Sequence, residues 1–195
     1  MTQPLEIDTL LARCLRGDQA SFAALYDQYA PLIYRLCYSL LMNHQDAEDV
    51  TQEAFVYAFR NLRRYDPSRS AFKTWLYTIA LSRCRNAYRR WQLPQLNVLQ
   101  LLTTEVAAPR SETPESSLAQ ADVKAALEQA LAALTPRLRE AVILRYGLGL
   151  TYREMAEVVG CPQKTAESRV RLAHERLREL LQPAGQSLLD EWVSI

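Results

Sequence analysis

The most constraining stretch of this sequence spans residues 151–178, where two helical patterns are separated by a glycine and a proline. Thr151 followed by Glu154 has the spacing of a capping box, in which each side chain satisfies a backbone N–H at the start of a helix. Gly160 can adopt the positive φ that ends a helix, and Pro162 suits the start of the next one. The stretch therefore predicts two consecutive helices joined by a tight turn.

The second of these helices has one apolar face and one polar face. Apolar residues recur at steps of four and three, at Ala166, Val170, Ala173, Leu177 and Leu180. The opposite face carries Lys164, Thr165, Glu167, Ser168, Arg171, His174 and Glu175. A short capped helix before a longer helix with an outward polar face is typical of a helix-turn-helix, whose second helix enters the DNA major groove. Two packed helices with a merely solvated face are the alternative.

The remainder of the chain also indicates helices. Its 195 residues include only five glycines, and 49% of them are hydrophobic, enough to bury a core in each of two domains. No apolar run approaches the roughly 20 residues that span a bilayer, and the N-terminus does not resemble a secretory signal, so we expect a cytoplasmic protein. The predicted fold class is all-α, with two small helical domains joined by a flexible linker and a helix-turn-helix in the C-terminal one.

Charge is distributed unevenly along the first half of the chain. Residues 1–56 contain three basic and eight acidic side chains, whereas residues 57–92 contain nine basic side chains and one acidic. An acidic surface next to a basic one indicates two different partners, one of them basic and the other a polyanion.

The acidic side chains are concentrated on a predicted helix that has Asp46 as its N-cap. The buried side of this helix would carry Ala47, Val50, Ala54, Ala58 and Leu62. The outward side would carry Glu48, Asp49, Gln52 and Glu53. Carboxylates in the first turns are favoured by the helix dipole or suit contact with a protein, so a hydrolase or nuclease that uses them is the least favoured alternative.

The basic segment combines arginines with aromatic rings. A turn at residues 63–70 precedes one long helix over residues 71–91, in which Phe72, Trp75, Tyr77 and Tyr88 are interleaved with basic side chains. Arginines that neutralise phosphates beside rings that stack on unpaired bases suit the binding of single-stranded DNA. A place for Trp75 in the core is equally consistent with the pattern.

Residues 93–117 contain three prolines and no apolar periodicity, which predicts a linker. The chain then divides into a first domain (1–92), this linker (93–117), a second domain (118–182) and a tail (183–195). The four cysteines lack the paired spacing of a zinc site or a disulfide framework, so we expect buried thiols, no metal and no cofactor.

Taken in order, these motifs resemble the extracytoplasmic-function (group 4) sigma factors of the bacterial sigma-70 family. The resemblance extends from about residue 10 to residue 181. It rests on residues 26–31 (Tyr-Asp-Gln-Tyr-Ala-Pro), 46–55 (Asp-Ala-Glu-Asp-Val-Thr-Gln-Glu-Ala-Phe), 65–67, 72–76, 134–136, 144–146, 150–156 and 168–178.

The resemblance implies a sigma factor that is not an enzyme, binds core RNA polymerase and directs promoter-specific transcription initiation. The first domain would be sigma region 2 and the second sigma region 4. Contacts with the clamp helices of the largest polymerase subunit are implied for Asp46, Asp49, Gln52 and Glu53. Melting and reading of the −10 element are implied for Arg69, Lys73, Trp75, Arg83, Arg85, Asn86, Arg89 and Arg90. Reading of the −35 element is implied for Arg153, Gln163, Lys164, Thr165, Glu167, Ser168, Arg169 and Arg171.

The sequence departs from the family pattern at two places near these promoter-reading surfaces. Glu167 stands where relatives often have a basic residue, and Leu81-Ser82 stands where Arg-Asn is frequent. We expect any regulator to be a separate protein, an anti-sigma factor. A stand-alone helix-turn-helix regulator is the alternative function, but it leaves the acidic helix beside the basic segment unexplained.

Overall fold

A computed structural model describes residues 7–92 and 126–181, with the side chains of residues 91 and 92 left out. The first range contains helices α1 (Ile7–Leu15), α2 (Gln19–Leu41), α3 (His44–Arg60) and α4 (Phe72–Gln92), with a 3-10 turn at Leu62–Arg64. The second contains α5 (126–133), α6 (Pro136–Val142) with a π-helical turn at Ile143–Gly147, α7 (Tyr152–Val159) and α8 (Gln163–Leu180). These ranges hold no strand, which confirms the predicted all-α class.

The described residues form two compact units. One contains residues 7–90 together with 153–161, and the other contains residues 126–152 together with 162–181. The predicted linker and tail lie outside the described residues, so the four-part division of the chain stays a prediction. None of the helices described is long and apolar enough to cross a membrane.

Helix α2 begins at a well-formed N-cap and continues past a proline. The carboxylate of Asp18 accepts hydrogen bonds from the backbone N–H of Ala20 at 3.2 Å and from the hydroxyl of Ser21 at 2.7 Å. These bonds, with the Ser21 contribution first, hold the pKa of Asp18 below its usual value. Pro31 lies within the helix, which continues to Leu41, so the proline does not split it.

Helix α3 begins three residues earlier than its predicted cap implies. Asn43 is the N-cap, with extended backbone and a side-chain oxygen that accepts from the N–H of Asp46 at 3.1 Å. Asp46 therefore lies in the first turn, and its prediction as the N-cap is wrong. Asparagine caps a helix about as well as aspartate, so residue type alone does not favour Asp46 over Asn43. The predicted buried stripe is confirmed at Ala47, Val50, Ala54, Ala58 and Leu62.

Cysteine burial follows the expectation from the sequence. Cys14, Cys37 and Cys84 are buried, Cys161 is half-buried, and none of these four described cysteines forms a disulfide. Cys37 on α2 is hydrogen-bonded to Cys84 on α4, and this bond lowers the pKa of the Cys37 thiol.

In the second unit, a buried apolar cluster joins α5, α6 and α8. It contains Ala130, Leu134, Val142, Ala173, Leu177 and Leu181. A buried arginine lies beside this cluster: Arg139 donates from Nε to the carbonyl of Leu131 at 2.8 Å and from Nη2 to the carbonyl of Ala132 at 2.6 Å. Because the last carbonyls of a helix have no intrahelical partner, the guanidinium serves as the C-terminal cap of α5.

Stability of the second unit should fall in mild acid because of His174. Its ring stacks on Tyr146 with the centroids 5.1 Å apart, and burial, followed by the charge of Arg178, lowers its pKa below 6.5. The unfolded chain therefore binds this proton more readily. The contribution of neutral His174 is complete above about pH 6.5 and is lost as the pH falls toward the lower folded pKa.

Urea unfolding of the wild type and of His174→Gln between pH 7.5 and 5.5 checks this expectation. The wild type should lose more stability than the variant over that range. An equal loss in both proteins would show that other groups carry the pH dependence.

Candidate functional site

The acidic face of α3, defined as Glu48, Asp49, Gln52 and Glu53, is exposed. These side chains lie opposite the buried stripe of the helix, which fixes the direction in which they point. Asp46 is half-buried in the first turn, to one side of this face. The predicted outward orientation of the acidic side chains is therefore confirmed, with Asp46 the least accessible of the four proposed contacts.

An exposed valine continues the acidic face and was missed in the sequence. Val56 lies four residues after Gln52 and three after Glu53, and half of its surface is exposed (50%). Large apolar side chains exposed beside charged ones are frequent at the centre of protein interfaces. In the sequence, Val56 could have been found as a β-branched apolar residue that does not belong to the buried stripe of its helix.

Helices α3 and α4 bring the acidic face next to the basic segment. Arg90 Nη2 lies 3.7 Å from Glu53 Oε1, and both side chains are largely exposed. One turn further along α3, the guanidinium of Arg83 lies over the ring of Tyr57, 4.5 Å from its centroid. The two oppositely charged surfaces predicted from the sequence are therefore adjacent and connected by these two contacts.

The turn before α4 is organised by hydrogen bonds. Asp66 accepts from the N–H of Ser68 at 2.9 Å and from its hydroxyl at 2.7 Å, and the hydroxyl bond is the larger cause of the lowered pKa of Asp66. The phenol of Tyr65 donates to the carbonyl of Ser70 at 3.1 Å. These bonds fix the turn against the start of α4, which makes it a preorganised surface.

Trp75 belongs partly to the core and partly to this surface. Its ring packs 5.3 Å from Tyr65 and 5.8 Å from Phe72, and the side chain is half-buried. The remaining edge of the indole faces a pocket beside the turn. Its lining includes Arg64, Asp66, Arg69, Ser70, Thr74, Trp75 and Thr78. The two alternatives for Trp75 are thus compatible, because one side of the ring packs and the other is accessible.

The basic residues proposed for DNA contact differ in their accessibility. Arg69, Lys73, Arg89 and Arg90 are exposed, whereas Arg83, Arg85 and Asn86 are half-buried. Asn86 accepts a hydrogen bond from Arg89 Nη2. The departure from the family pattern on α4 consists of two residues. Leu81 is 1% exposed and belongs to the core, while Ser82 is exposed. Leu81 therefore contributes to packing and has no surface to offer DNA.

The stretch at residues 151–178 folds into the two predicted helices. Helix α7 begins directly after Thr151, and Gly160 ends it with a φ of +73°. The N–H groups of Gly160 and Cys161 both donate to the carbonyl of Ala156, at 2.9 and 3.0 Å, in the pattern of a glycine C-cap. Pro162, predicted as the first residue of the second helix, is the N-cap of α8, and the helix begins one residue later, at Gln163.

Helix α8 presents the polar face predicted from its periodicity. Ala166, Val170, Ala173 and Leu177 are buried. Gln163, Lys164, Ser168 and Arg171 are exposed, whereas Thr165, Glu167 and Arg169 are half-buried. Arg153, the proposed contact on α7, is exposed. The first two turns of α8 therefore carry accessible hydrogen-bonding side chains of both charges.

Comparisons with known proteins bear on both halves of the chain. The family models described as Sigma-70 region 2 and Sigma-70, region 4 match residues 25–92 and 124–177. The chain is 34% identical to the RNA polymerase sigma-H factor of Pseudomonas aeruginosa, over 89% of this chain and 93% of that protein. It is 31% identical to the ECF RNA polymerase sigma factor SigW of Bacillus subtilis, over 85% and 91%. A similar solved structure is that of the sigma factor RpoE from Bartonella quintana in complex with the anti-sigma factor NepR. Its TM-score to this chain is 0.65, and the two are 26% identical over 82% of this chain and 95% of that one.

Proposed function

This chain belongs to the extracytoplasmic-function group of the bacterial sigma-70 family, and we propose that different surfaces of it carry out different steps of promoter recognition. The chain is an RNA polymerase sigma factor. Sigma factors are initiation subunits, so we propose no catalytic activity of its own, and we propose the cytoplasm, where RNA polymerase acts, as its location.

The acidic face of α3 is proposed to bind the clamp helices of the largest subunit of core RNA polymerase. The observation that carries this proposal is the row formed by Asp49, Gln52 and Glu53, which is exposed while the opposite side of the helix is buried. Exposed carboxylates on a rigid helix offer a basic partner complementary charge without rearrangement. Val56 adds an apolar contact beside them. Asp46, half-buried at the edge, would contribute least.

The turn at residues 65–70 and helix α4 are proposed to open and read the −10 element. The exposed arginines would neutralise phosphates, and the accessible edge of Trp75 would stack on an unpaired base. The pocket beside the turn, with arginine and hydroxyl groups in its lining, suits a base held outside the duplex. The half-buried Arg83 would hold its place on Tyr57 and contribute less than Arg69 or Lys73.

Helix α8 is proposed to enter the major groove of the −35 element. Its N-terminal turns carry amide, carboxylate, hydroxyl and basic groups, the side chains that contact base edges. Arg153 on α7 is exposed and would contact the backbone phosphates. A separate anti-sigma factor is proposed as a further partner, since the similar Bartonella sigma factor was crystallised with one.

Run-off transcription with purified core polymerase on genomic fragments tests the whole proposal. We expect co-purification with core and transcripts that begin at discrete sites only when this protein is added. Binding to DNA without core, together with no new transcripts, would instead favour a stand-alone regulator.

Arg171→Ala should weaken recognition of the −35 element. A guanidinium that contacts a base edge contributes about 1–3 kcal/mol of discrimination, so the loss should be confined to one base position. Initiation rates on promoters substituted singly across that element measure it. Arg176→Ala is the matched control, because Arg176 lies on the same helix and forms the same kind of exposed ion pair, with Glu179. A uniform loss over all sequences would assign Arg171 to a phosphate.

A further inference from the structure

One stripe of α8 is held as two hydrogen-bonded pairs. Gln163, Glu167, Arg171 and Glu175 follow one another at steps of four, so their side chains share one side of the helix. Gln163 Nε2 donates to Glu167 Oε1 at 2.9 Å, and Arg171 Nη1 donates to Glu175 Oε1 at 2.6 Å. Glu167 thus accepts its hydrogen bond from Gln163, one turn before it, while Arg171 donates to Glu175, one turn after it.

The position of Glu167 makes its carboxylate unusual for a DNA-contacting helix. It lies in the second turn of α8, the part of a recognition helix that contacts base edges. A carboxylate only accepts hydrogen bonds and is repelled by phosphates, so it gains from DNA only where the groove offers a donor. Gln163 occupies Oε1 and limits the rotamers of Glu167, which leaves Oε2 free to accept.

The major groove offers two kinds of donor. The N4 amino group of cytosine stands without a neighbouring acceptor on the same base, whereas the N6 amino group of adenine stands beside the acceptor N7. Guanine presents two acceptors, and thymine presents an acceptor and a methyl group. A carboxylate that approaches adenine N6 is repelled by N7 of the same base, and acidic side chains accordingly pair with cytosine N4. Cytosine is therefore the base that a fixed carboxylate at this place selects.

We propose that Glu167 determines specificity in the −35 element by accepting a hydrogen bond from N4 of a cytosine, and that Gln163 is the positioning residue that aims it. This inference rests on the proposed placement of α8 in the major groove. Two neighbouring side chains of the stripe then prefer opposite base edges. Glu167 accepts a hydrogen bond from cytosine, and Arg171 donates to a base edge rich in acceptors.

The test uses a promoter found by run-off transcription, randomised over its −35 element and transcribed by holoenzyme. Sequencing of the transcribed templates gives the base preference at each position for the wild type, Glu167→Ala, Glu167→Gln and Gln163→Ala. We expect the wild type to favour cytosine about tenfold at one position, in the range of a single good base contact. Glu167→Ala should remove that preference, and Glu167→Gln should move it to adenine, whose N6 and N7 match an amide.

Gln163→Ala should reduce the cytosine preference without creating another, which distinguishes positioning from direct contact. Glu179→Gln is the control, since Glu179 is an exposed carboxylate in the last turn of the same helix and pairs with Arg176. An unchanged preference at every position in Glu167→Ala would overturn the inference while leaving the sigma function intact. Failure of the wild type to start transcription at any discrete site would overturn the proposed function itself.

Discussion

Replacing both Asp49 and Glu53 with arginine should abolish binding to core RNA polymerase. Removing one partner of a charged pair that is buried at an interface costs about 2–5 kcal/mol, so reversal of both carboxylates should weaken the complex about 100-fold or more. Both side chains point away from the buried stripe of α3, so the helical content should be unchanged. Pull-down with purified core and surface plasmon resonance measure the affinity, and circular dichroism measures the helical content.

Single variants separate a local effect from a general effect of charge. Glu53→Arg reverses one charge on the acidic face, and Asp27→Arg reverses one exposed charge on α2. We expect the first to lose affinity and the second to retain it. Full affinity in the double variant would remove the acidic face from the interface, and an equal loss in Asp27→Arg would make the attraction a property of total charge.

Arg139→Ala should destabilise the second unit by about 3 kcal/mol or more. The guanidinium is 6% exposed and satisfies the carbonyls of Leu131 and Ala132, with a longer bond of 3.3 Å to Leu134. Truncation leaves the buried carbonyl of Leu134 and the part-buried carbonyls of Leu131 and Ala132 without their donor, and each unsatisfied buried group costs about 1–3 kcal/mol. Arg139→Lys should recover only part of the loss, because an ammonium cannot reproduce the planar fork.

Urea unfolding of the full chain, followed by circular dichroism, measures this loss, and amide hydrogen exchange locates it. Protection should fall in residues 126–147 and persist in α2 and α3. Arg137→Ala is the control, since Arg137 lies on the same helix with its side chain exposed. Equal stability of the two alanine variants would mean that water replaces the guanidinium at no cost.

The helices could be predicted where an apolar stripe and a clear end coincide. On α8 the steps from Ala166 to Leu177 predicted the buried face, and Gly160 predicted the end of α7. The same logic predicted the direction of Asp49 and Glu53, since residues outside a buried stripe must face away from it. Local periodicity was sufficient in these cases because the fold of each segment follows its own pattern.

Features that depend on a choice between neighbours, or on distant contacts, could not be predicted. Asn43 and Asp46 were equivalent as caps by type, and only the folded chain selects between them. Pro31 is exposed within α2, where water can satisfy the carbonyl left without a donor, so the expected break does not occur. The burial of Arg139 and Leu81 comes from packing between helices, which no single-helix pattern contains.

The contact between Arg90 and Glu53 would couple the proposed binding of core polymerase at Glu53 to the proposed binding of DNA at Arg90. An exposed pair at 3.7 Å contributes about 0–1 kcal/mol, so a basic partner that takes Glu53 displaces Arg90 at little cost. The released guanidinium is then available to a phosphate and would steepen the salt dependence of DNA binding by about 0.7–0.9 in the log–log slope. Linkage requires the reverse as well: DNA that captures Arg90 leaves Glu53 open to the polymerase.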